Sequence, residues 1–304
     1  MFMKKKTAGH LSLFGANTMW GIMSPISKLL LAAGVLSATA LTDLRLVCGT
    51  ALFWLLSLFV KTDKIEKGDY IRLFAVAFFS AALNQMLFVN GVALTSPVDA
   101  SIATSTLPIW TMLLAAFFLK EPLSAGKISG VLLGLGGATI LILGSASKGA
   151  GNESNIWGDI LCLGSQLSYA VYLVFFQDII KKYSPLTLMK WKYLFAALML
   201  LPFSFGALSG ISWSEFTSGN WLSLGYILLF GTFFSYLIVP IGQKTLRPTV
   251  VAMYNYLQPV FATIFAIFYG QDELTPMKIV AVALIFTGVM LVNKSREKAA
   301  ASAK

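Results

Sequence analysis

Uncharged carboxamide side chains recur in the middle of long apolar segments of this sequence: Asn84, Gln85, Gln166, Asn255 and Gln258. A carboxamide both donates and accepts hydrogen bonds, so such groups can hold a polar solute without carrying charge. Leaving them unpaired in an apolar interior is costly. We therefore expect them to line a shared polar interior and contact a substrate, or to form hydrogen bonds between packed helices.

A second polar set lies near the N-terminus. Asn17, Gly21, Ser24 and Lys28 recur at helical spacing and share one face of a helix, with Trp20 beside them. This face predicts that Asn17 and Ser24 contact a substrate along a water-filled path, and Trp20, as a deep aromatic residue of the same helix, is a further candidate for substrate contact. Small residues at such positions also allow close contact between helices, and the two roles are compatible.

Aromatic side chains accompany the polar groups. Trp110, Tyr172 and Tyr254 lie deep in apolar segments that also carry polar residues. An aromatic, weakly polar pocket would accept amphipathic metabolites such as amino acids better than sugars or phosphates. We count these three residues as candidate substrate-binding residues, with ordinary core packing as the alternative.

The sequence offers no constellation for catalysis. It contains no nucleophile with a matching base, no His/Cys cluster with metal-ligand spacing and no Gly-rich phosphate loop. Cys48 and Cys162 both lie in apolar runs, which argues against a disulfide framework. We predict that the chain is not an enzyme and uses neither a metal nor another cofactor.

The composition indicates a membrane protein. Hydrophobic residues make up 57% of the chain, charged residues 12%, and mean hydropathy is +0.77, whereas soluble domains are roughly 45–50% apolar and 25% charged. About ten apolar runs are long enough to cross a bilayer as helices. We place them at 10–32, 40–60, 71–94, 98–119, 124–144, 156–178, 185–208, 220–243, 249–270 and 275–293. The prediction is an all-α integral membrane protein.

Basic residues set the expected orientation. The formal net charge is +10, but the Lys and Arg residues form short clusters between apolar runs rather than a basic face for nucleic acid. With the N-terminus inside, most of these clusters fall in cytoplasmic loops. We predict both termini in the cytoplasm of a multi-pass protein of the bacterial inner (cell) membrane, whose partners are the lipid bilayer and a small molecule, and no nucleic acid.

In this orientation four charged residues lie towards the outer side: Lys28, Asp43, Arg45 and Asp99. Charged groups that face lipid are costly, so these should pair or face a water-filled vestibule. Lys28 or Arg45 could attract an anionic group of a solute. The pairs Arg45–Asp99 and Lys28–Asp43 are the alternative.

The chain contains an internal repeat. Gly91–Leu141 aligns without a gap with Gly242–Val292, about 151 residues later, and Pro108 falls on Pro259. An odd number of helices in each half inverts the second half in the membrane, as in many secondary transporters. We expect a first repeat at 1–144 (helices 1–5), a linker at 145–155, a second repeat at 156–293 (helices 6–10) and a basic cytoplasmic tail at 294–304.

Several short motifs resemble a known family. The steps Leu107-Pro108 and Gln258-Pro259 are each followed by small and aromatic residues and then an acidic position, at Glu121 and at Asp272-Glu273. Together with Asn17-Thr18-Met19-Trp20-Gly21 and Arg45, this pattern resembles the drug/metabolite transporter (DMT) superfamily and, within it, the EamA-type family of exporters and permeases. The resemblance implies ten helices in two inverted five-helix repeats.

These patterns together predict a secondary transporter, an alternating-access permease or exporter of a small amphipathic metabolite such as an amino acid, as a monomer or homodimer. Pro108 and Pro259 are expected to be gating bends, with fixed kinks as the alternative. Facilitated transport and proton coupling through an outer carboxylate such as Asp99 both remain open. The competing interpretation is a non-transporting accessory or scaffolding membrane subunit.

Overall fold

A computed structural model of the chain describes residues 2–95, 97–145, 156–269 and 273–301, and every regular element in these ranges is a helix. Nine of the described helical segments are long and apolar enough to cross a membrane. The N-terminal helix α1, Phe2–Ala32, has 31 residues but carries more polar side chains, among them His10, Asn17 and Lys28. The predicted all-helical membrane architecture is confirmed.

The remaining helices follow the predicted order closely. In the first half they are α2 (Ala38–Phe59), α3 (Asp69–Ala77, a π-helical turn at Phe78–Ala82, then Leu83–Leu94), α4 (Pro97–Thr104 and Leu107–Phe118) and α5 (Ala125–Ser145). In the second half they are α6 (Ile156–Phe175), α7 (Pro185–Ser204), α8 (Ser218–Leu228, a π-helical turn at Leu229–Phe234, then Ser235–Thr245), α9 (Pro248–Met253, a 3₁₀ turn at Tyr254–Tyr256, then Leu257–Phe268) and α10 (Pro276–Ala301). Short helical segments in the connections before and after α7 span Gln177–Lys182, Gly206–Ser209 and Trp213–Glu215.

The last helix runs further than the apolar pattern indicated. Helix α10 continues to Ala301, through most of the predicted basic tail, because that tail is rich in good helix formers such as Ala, Lys and Arg. The linker predicted at 145–155 lies outside the described residues apart from Ser145.

Local sequence signals explain where several helices begin. Ser37 precedes α2 and its hydroxyl accepts a hydrogen bond from the Ala40 amide at 3.1 Å. Ser184 caps α7 in the same way, and Pro185 occupies the first turn of that helix. Both follow the known preference of Ser for the N-cap and of Pro for the first helical positions. Gly34, in the connection before α2, has a φ of 72°, which favours glycine.

The helices are interrupted at positions that have the same spacing as the sequence repeat. The π-helical turns of α3 and α8 start at Phe78 and Leu229, about 151 residues apart. Helix α4 is interrupted immediately before Leu107-Pro108, and α9 has its 3₁₀ turn shortly before Pro259. Proline lacks an amide donor and crowds the carbonyl four residues earlier, which accounts for the second pair of interruptions.

Helices α5 and α10 pack closely through glycines. A Cβ atom on Gly130 would lie 2.7 Å from the Gly288 carbonyl oxygen, and one on Gly137 would lie 2.6 Å from that of Ala281. The helices therefore run antiparallel. Since Gly130 is the repeat equivalent of Ala281 and Gly137 that of Gly288, a two-fold rotation exchanges the two contacts. These equivalent helices thus have the opposite orientation that an inverted repeat requires.

Contacts along the chain group it into two compact units. Unit 1 contains Met1–Ala82 and Phe176–Thr245, and unit 2 contains Leu83–Phe175 and Leu246–Lys304. Each unit combines helices from both sequence repeats. Unit 1 is built from α1, α2, α7, α8 and the first part of α3; unit 2 is built from α4, α5, α6, α9, α10 and the second part of α3.

Candidate functional site

Unit 1 contains a cluster of aromatic rings and cations, which we call the cation–aromatic cluster: Trp20, Arg45, Lys192, Tyr193 and Tyr236. The rings of Trp20 and Tyr236 lie edge to face with centroids 5.0 Å apart, and those of Tyr193 and Tyr236 lie 5.5 Å apart. The Lys192 ammonium is 5.0 Å from the Tyr236 ring centroid, within the range of a cation–π interaction.

The π-helical turn of α8 positions two members of this cluster. The Trp20 indole N–H donates to the Gly231 carbonyl at 3.0 Å, and Arg45 Nε donates to the Thr232 hydroxyl at 3.0 Å. A π turn departs from the α-helical hydrogen-bond ladder and is frequent at functional sites. One turn of α8 therefore fixes side chains from both α1 and α2.

The cluster combines buried and accessible groups. Lys192 is 3% exposed and Tyr193 6% exposed, whereas Trp20, Arg45 and Tyr236 are half-buried. Arg45 uses Nε for Thr232, which leaves its two terminal amino groups outside that bond. A guanidinium offers five N–H donors in a planar fork that matches a carboxylate. The arrangement can bind an anionic group next to an apolar ring system.

The other residues predicted on α1 are placed differently. Asn17 is 1% exposed and its amide donates to the Leu13 carbonyl of the same helix at 2.8 Å. Ser24 and Lys28 are exposed. Of the predicted α1 residues, Trp20 alone belongs to the cation–aromatic cluster.

Asp43 on α2 is buried in unit 1. It is 1% exposed, and its Oδ1 accepts a hydrogen bond from the Ser204 hydroxyl of α7 at 2.7 Å. Its Oδ2 is also buried and has no hydrogen-bond partner among the described residues. The ion pairs seen in the described part of the chain do not include the Lys28–Asp43 pair considered above.

The carboxamides on α3 and α6 lie in unit 2. The Asn84 amide donates to the Ser165 carbonyl at 2.7 Å, which links α3 to α6. Gln166, 8% exposed, donates to the Ser165 hydroxyl at 3.0 Å, and Gln85 is half-buried. For Asn84 the structure thus contains the interhelical hydrogen bond that the sequence offered as an alternative to substrate contact.

The remaining predicted residues also belong to unit 2. Tyr172 is fully buried and Tyr254 is 7% exposed, while Trp110, Asn255 and Gln258 are half-buried. The Trp110 indole nitrogen is buried without a hydrogen-bond partner among the described residues. Pro108 and Pro259 lie just after the interruptions of α4 and α9. The Asp99 side chain lies outside the described residues.

Unit 2 also holds a buried ion pair at the end of α4. The Lys127 ammonium lies 2.7 Å from Glu121 Oε2, with both side chains at most 7% exposed. The Thr249 hydroxyl at the start of α9 donates to the same oxygen at 3.2 Å. This contact ties the α4–α5 connection to α9 and has a structural role.

A charged network in unit 1 ties the α2–α3 loop to the segment before α7. The Lys182 ammonium lies 2.6 Å from both Glu66 and Asp69, and Asp69 in particular raises the pKa of Lys182 above its ordinary value. The Asp63 carboxylate accepts a hydrogen bond from the Ser184 amide at 2.6 Å, and this bond lowers the pKa of Asp63. These loops are held in place by charge-assisted hydrogen bonds.

Sequence reasoning missed part of the cation–aromatic cluster. Lys192, Tyr193 and Tyr236 come from apolar helices, and no spacing rule within one helix links α7 to α8. A signal was present in α7, where Trp, Lys and Tyr follow one another inside an apolar run. A lysine in the middle of a membrane segment is itself a mark of a functional site.

Comparisons with known proteins give the family. A family model described as the EamA-like transporter family matches residues 7–143 and 156–294. An uncharacterized transporter of Archaeoglobus fulgidus is 24% identical, covering 92% of this chain and 96% of its own length, and the uncharacterized transporter YetK of Bacillus subtilis is 21% identical, covering 96% and 88%. A solved crystal structure shares the fold at a TM-score of 0.77 with 18% identity, covering 96% of this chain and 99% of its own. This multi-pass membrane chain belongs to the EamA-like transporter family.

Proposed function

We propose that the chain is an alternating-access secondary carrier for small amphipathic metabolites that bear a carboxylate, and that amino acids with large side chains are its main substrate class. The observation that carries the proposal is the cation–aromatic cluster of unit 1. We further propose that the protein works in a bacterial inner membrane with both termini in the cytoplasm and serves as an exporter.

The chemistry of the cluster favours this substrate class. The rings of Trp20, Tyr193 and Tyr236 offer an apolar surface with centroid spacings of 5.0 and 5.5 Å, which suits a bulky apolar side chain. Lys192 and Arg45 bring positive charge from two different helices next to these rings. In a poorly hydrated interior, a charge-assisted hydrogen bond to a carboxylate is stronger than in water.

The conformational part of the proposal rests on the helix interruptions. Breaks at repeat-equivalent positions are typical places for a helix to bend, and the interruptions before Pro108 and Pro259 meet this description. We propose that these bends change during transport. An accessory subunit would need neither a buried cation beside aromatic rings nor paired interruptions.

The test uses purified protein in proteoliposomes and radiolabelled L-phenylalanine. Lys192→Met should raise the concentration for half-maximal uptake by roughly tenfold or more, since a hydrogen bond to a charged group contributes about 1.5–3 kcal/mol. Lys190→Met is the matched control, because Lys190 lies over the Trp54 ring at 4.3 Å and outside the cluster. L-phenylalaninamide, which lacks the carboxylate, should compete poorly with L-phenylalanine in the wild type.

Two results would contradict the proposal. Equal kinetics for Lys192→Met and Lys190→Met would remove the cluster from the substrate site. Absence of flux above empty liposomes, for L-phenylalanine and for a panel of other amino acids, nucleosides and sugars, would favour the accessory subunit.

A further inference from the structure

Gly49 lies inside helix α2, next to the cation–aromatic cluster. It is buried, and a Cβ atom on it would lie 2.7 Å from Tyr193 Cδ1, closer still to Tyr193 Cε1, and 3.3 Å from the methyl group of Thr232. Carbon atoms in favourable contact are about 3.5–4.0 Å apart. The Tyr193 ring therefore occupies the space that a side chain at position 49 would need.

One face of α2 carries Arg45, Gly49 and Phe53, which follow one another at intervals of four residues. Arg45 donates to the Thr232 hydroxyl, and the Phe53 ring packs against that of Tyr193 with centroids 5.0 Å apart. Glycine is less favourable than alanine in the interior of a helix, so a glycine at such a position usually has a packing or functional reason. Here the missing side chain leaves a gap between Arg45 and Phe53, and the Tyr193 ring fills it.

Aromatic neighbours hold the Tyr193 ring on its other sides. Phe53, which is 0% exposed, lies on one side, and the centroid of the Tyr236 ring lies 5.5 Å away on another. Tyr236 in turn contacts the Trp20 ring and the Lys192 ammonium. An aromatic ring is rigid and moves as a unit, so a methyl group at position 49 would push the Tyr193 ring away from α2 and change its packing against Tyr236.

We infer that Gly49 is a positioning residue that sets the size of the side chain the carrier accepts, because it determines where the Tyr193 ring lies in the cation–aromatic cluster. This inference rests on the proposed carrier function. A larger residue at position 49 displaces the ring and reshapes the apolar surface that receives a bulky side chain. Arg45 and Lys192 still provide positive charge for the carboxylate. Large substrates should therefore be disfavoured, and small ones should be little affected.

The first test compares substrates of different size in proteoliposomes that contain the purified protein. Uptake efficiency, the maximal rate divided by the concentration for half-maximal uptake, is measured for radiolabelled L-phenylalanine and L-alanine. One methylene group in an apolar pocket changes discrimination by about 10–200-fold, so Gly49→Ala should lower the preference for L-phenylalanine by roughly tenfold or more. Most of this change should be a higher half-maximal concentration for L-phenylalanine. An unchanged preference in Gly49→Ala would overturn the inference.

Gly242→Ala is the matched control for a general effect of crowding. Gly242 is another buried helical glycine of unit 1, and a Cβ atom on it would lie 2.8 Å from Leu13 Cδ2 of α1. This variant crowds a contact between helices without moving the Tyr193 ring, so it should keep the wild-type preference. A change of preference as large as that of Gly49→Ala would show that the effect does not depend on Tyr193, and the inference would fail.

The second test needs no substrate. Tyr193→Leu removes ring atoms that a Cβ atom at position 49 would meet. In a double-mutant cycle, Gly49→Ala should lower the unfolding temperature in the wild-type background and have little effect in the Tyr193→Leu background. If Gly49→Ala alone does not fold, Gly49→Ala/Tyr193→Leu should restore folding. Equal losses in both backgrounds, or a double variant that does not fold, would overturn the inference.

The two tests separate this inference from the proposed function. If the wild type carries neither L-phenylalanine nor L-alanine, the proposed function fails for this class of substrate. The unfolding temperatures still decide whether Gly49 positions the Tyr193 ring. If the wild type carries L-phenylalanine and Gly49→Ala keeps its preference, the carrier function stands and the role of Gly49 is refuted.

Discussion

The buried ion pair of unit 2 makes a quantitative prediction about stability. In the variant Glu121→Gln, the Lys127 ammonium keeps its buried position, at 5% exposure, but loses the carboxylate that lies 2.7 Å away. Removing one partner of a buried ion pair costs about 3–5 kcal/mol, because the other charge stays buried without compensation. The substitution preserves the size of the side chain, so packing is not disturbed.

An exposed ion pair in the same protein provides the control. Arg72 pairs with Asp178, and these side chains are 44% and 57% exposed. Asp178→Asn is an equally conservative change, and an exposed pair contributes about 0–1 kcal/mol. The contrast between Glu121→Gln and Asp178→Asn therefore isolates the effect of burial.

The assay is thermal unfolding of the purified full-length protein in detergent. At roughly 2–4 °C per kcal/mol, Glu121→Gln should lower the unfolding temperature by roughly 6–20 °C, and Asp178→Asn by a few degrees at most. The double variant Glu121→Gln/Lys127→Met should recover most of the loss, since neither charge is then buried. Equal shifts for the buried and the exposed pair, or no recovery in the double variant, would refute the reasoning.

Three further predictions concern packing, pH and gating. Gly288→Ala should destabilise the protein, because the new Cβ atom would lie 2.5 Å from a backbone oxygen of the facing helix. Gly136→Ala, whose Cβ atom would have no other atom within 4 Å, should stabilise the protein by about 0.5–1 kcal/mol. Thermal unfolding checks both variants, and the opposite order of stability would contradict the packing. The Ser184 amide lowers the pKa of Asp63, so the stability from this contact is present above the ordinary pKa of an aspartate and is lost as pH falls through the lowered value. Asp63→Asn should therefore reduce the loss of stability at acidic pH, measured as unfolding temperature against pH. An unchanged loss at acidic pH would contradict the contribution of this contact. Pro259→Ala should slow L-phenylalanine exchange in proteoliposomes while the unfolding temperature stays near that of the wild type, and wild-type exchange would argue against gating.

The positions of the helices could be predicted from the sequence because their signal is local. Apolar runs of about 20 residues mark a membrane helix wherever it packs, and the observed helices begin and end within a few residues of the predictions apart from the two ends of the chain. The repeat was also readable, since Pro108 and Pro259 occupy equivalent positions, as do Gly137 of α5 and Gly288 of α10. The antiparallel contact between Gly130 and Gly288 gives that repeat a physical basis.

The contacts of the candidate site could not be read in the same way. Asn84 donates to a backbone carbonyl, which every residue possesses, so its partner Ser165 has no signature in the sequence. Asp43 lies near Lys28 and Arg45 in the predicted topology, yet it bonds to Ser204 of a distant helix. Such pairings depend on which helices become neighbours, and the two compact units mix helices from both repeats.

The π-helical turn at Leu229–Phe234 is a second feature without a sequence signal. It contains neither proline nor an unusual charge, yet it supplies the acceptors for Trp20 and Arg45. The interruption in α4, by contrast, was foreseeable from Pro108. Backbone irregularities were therefore predictable where proline removes a donor and hidden where tertiary contacts stabilise them.

Counterflow by the purified protein is the most direct test of a carrier. Proteoliposomes preloaded with unlabelled L-phenylalanine should take up external radiolabelled L-phenylalanine transiently above its equilibrium level, and the initial rate should saturate with concentration. A carrier that alternates between two openings predicts this overshoot. Uptake that never exceeds equilibrium and rises linearly with concentration, or no uptake beyond that of empty liposomes, would contradict the account.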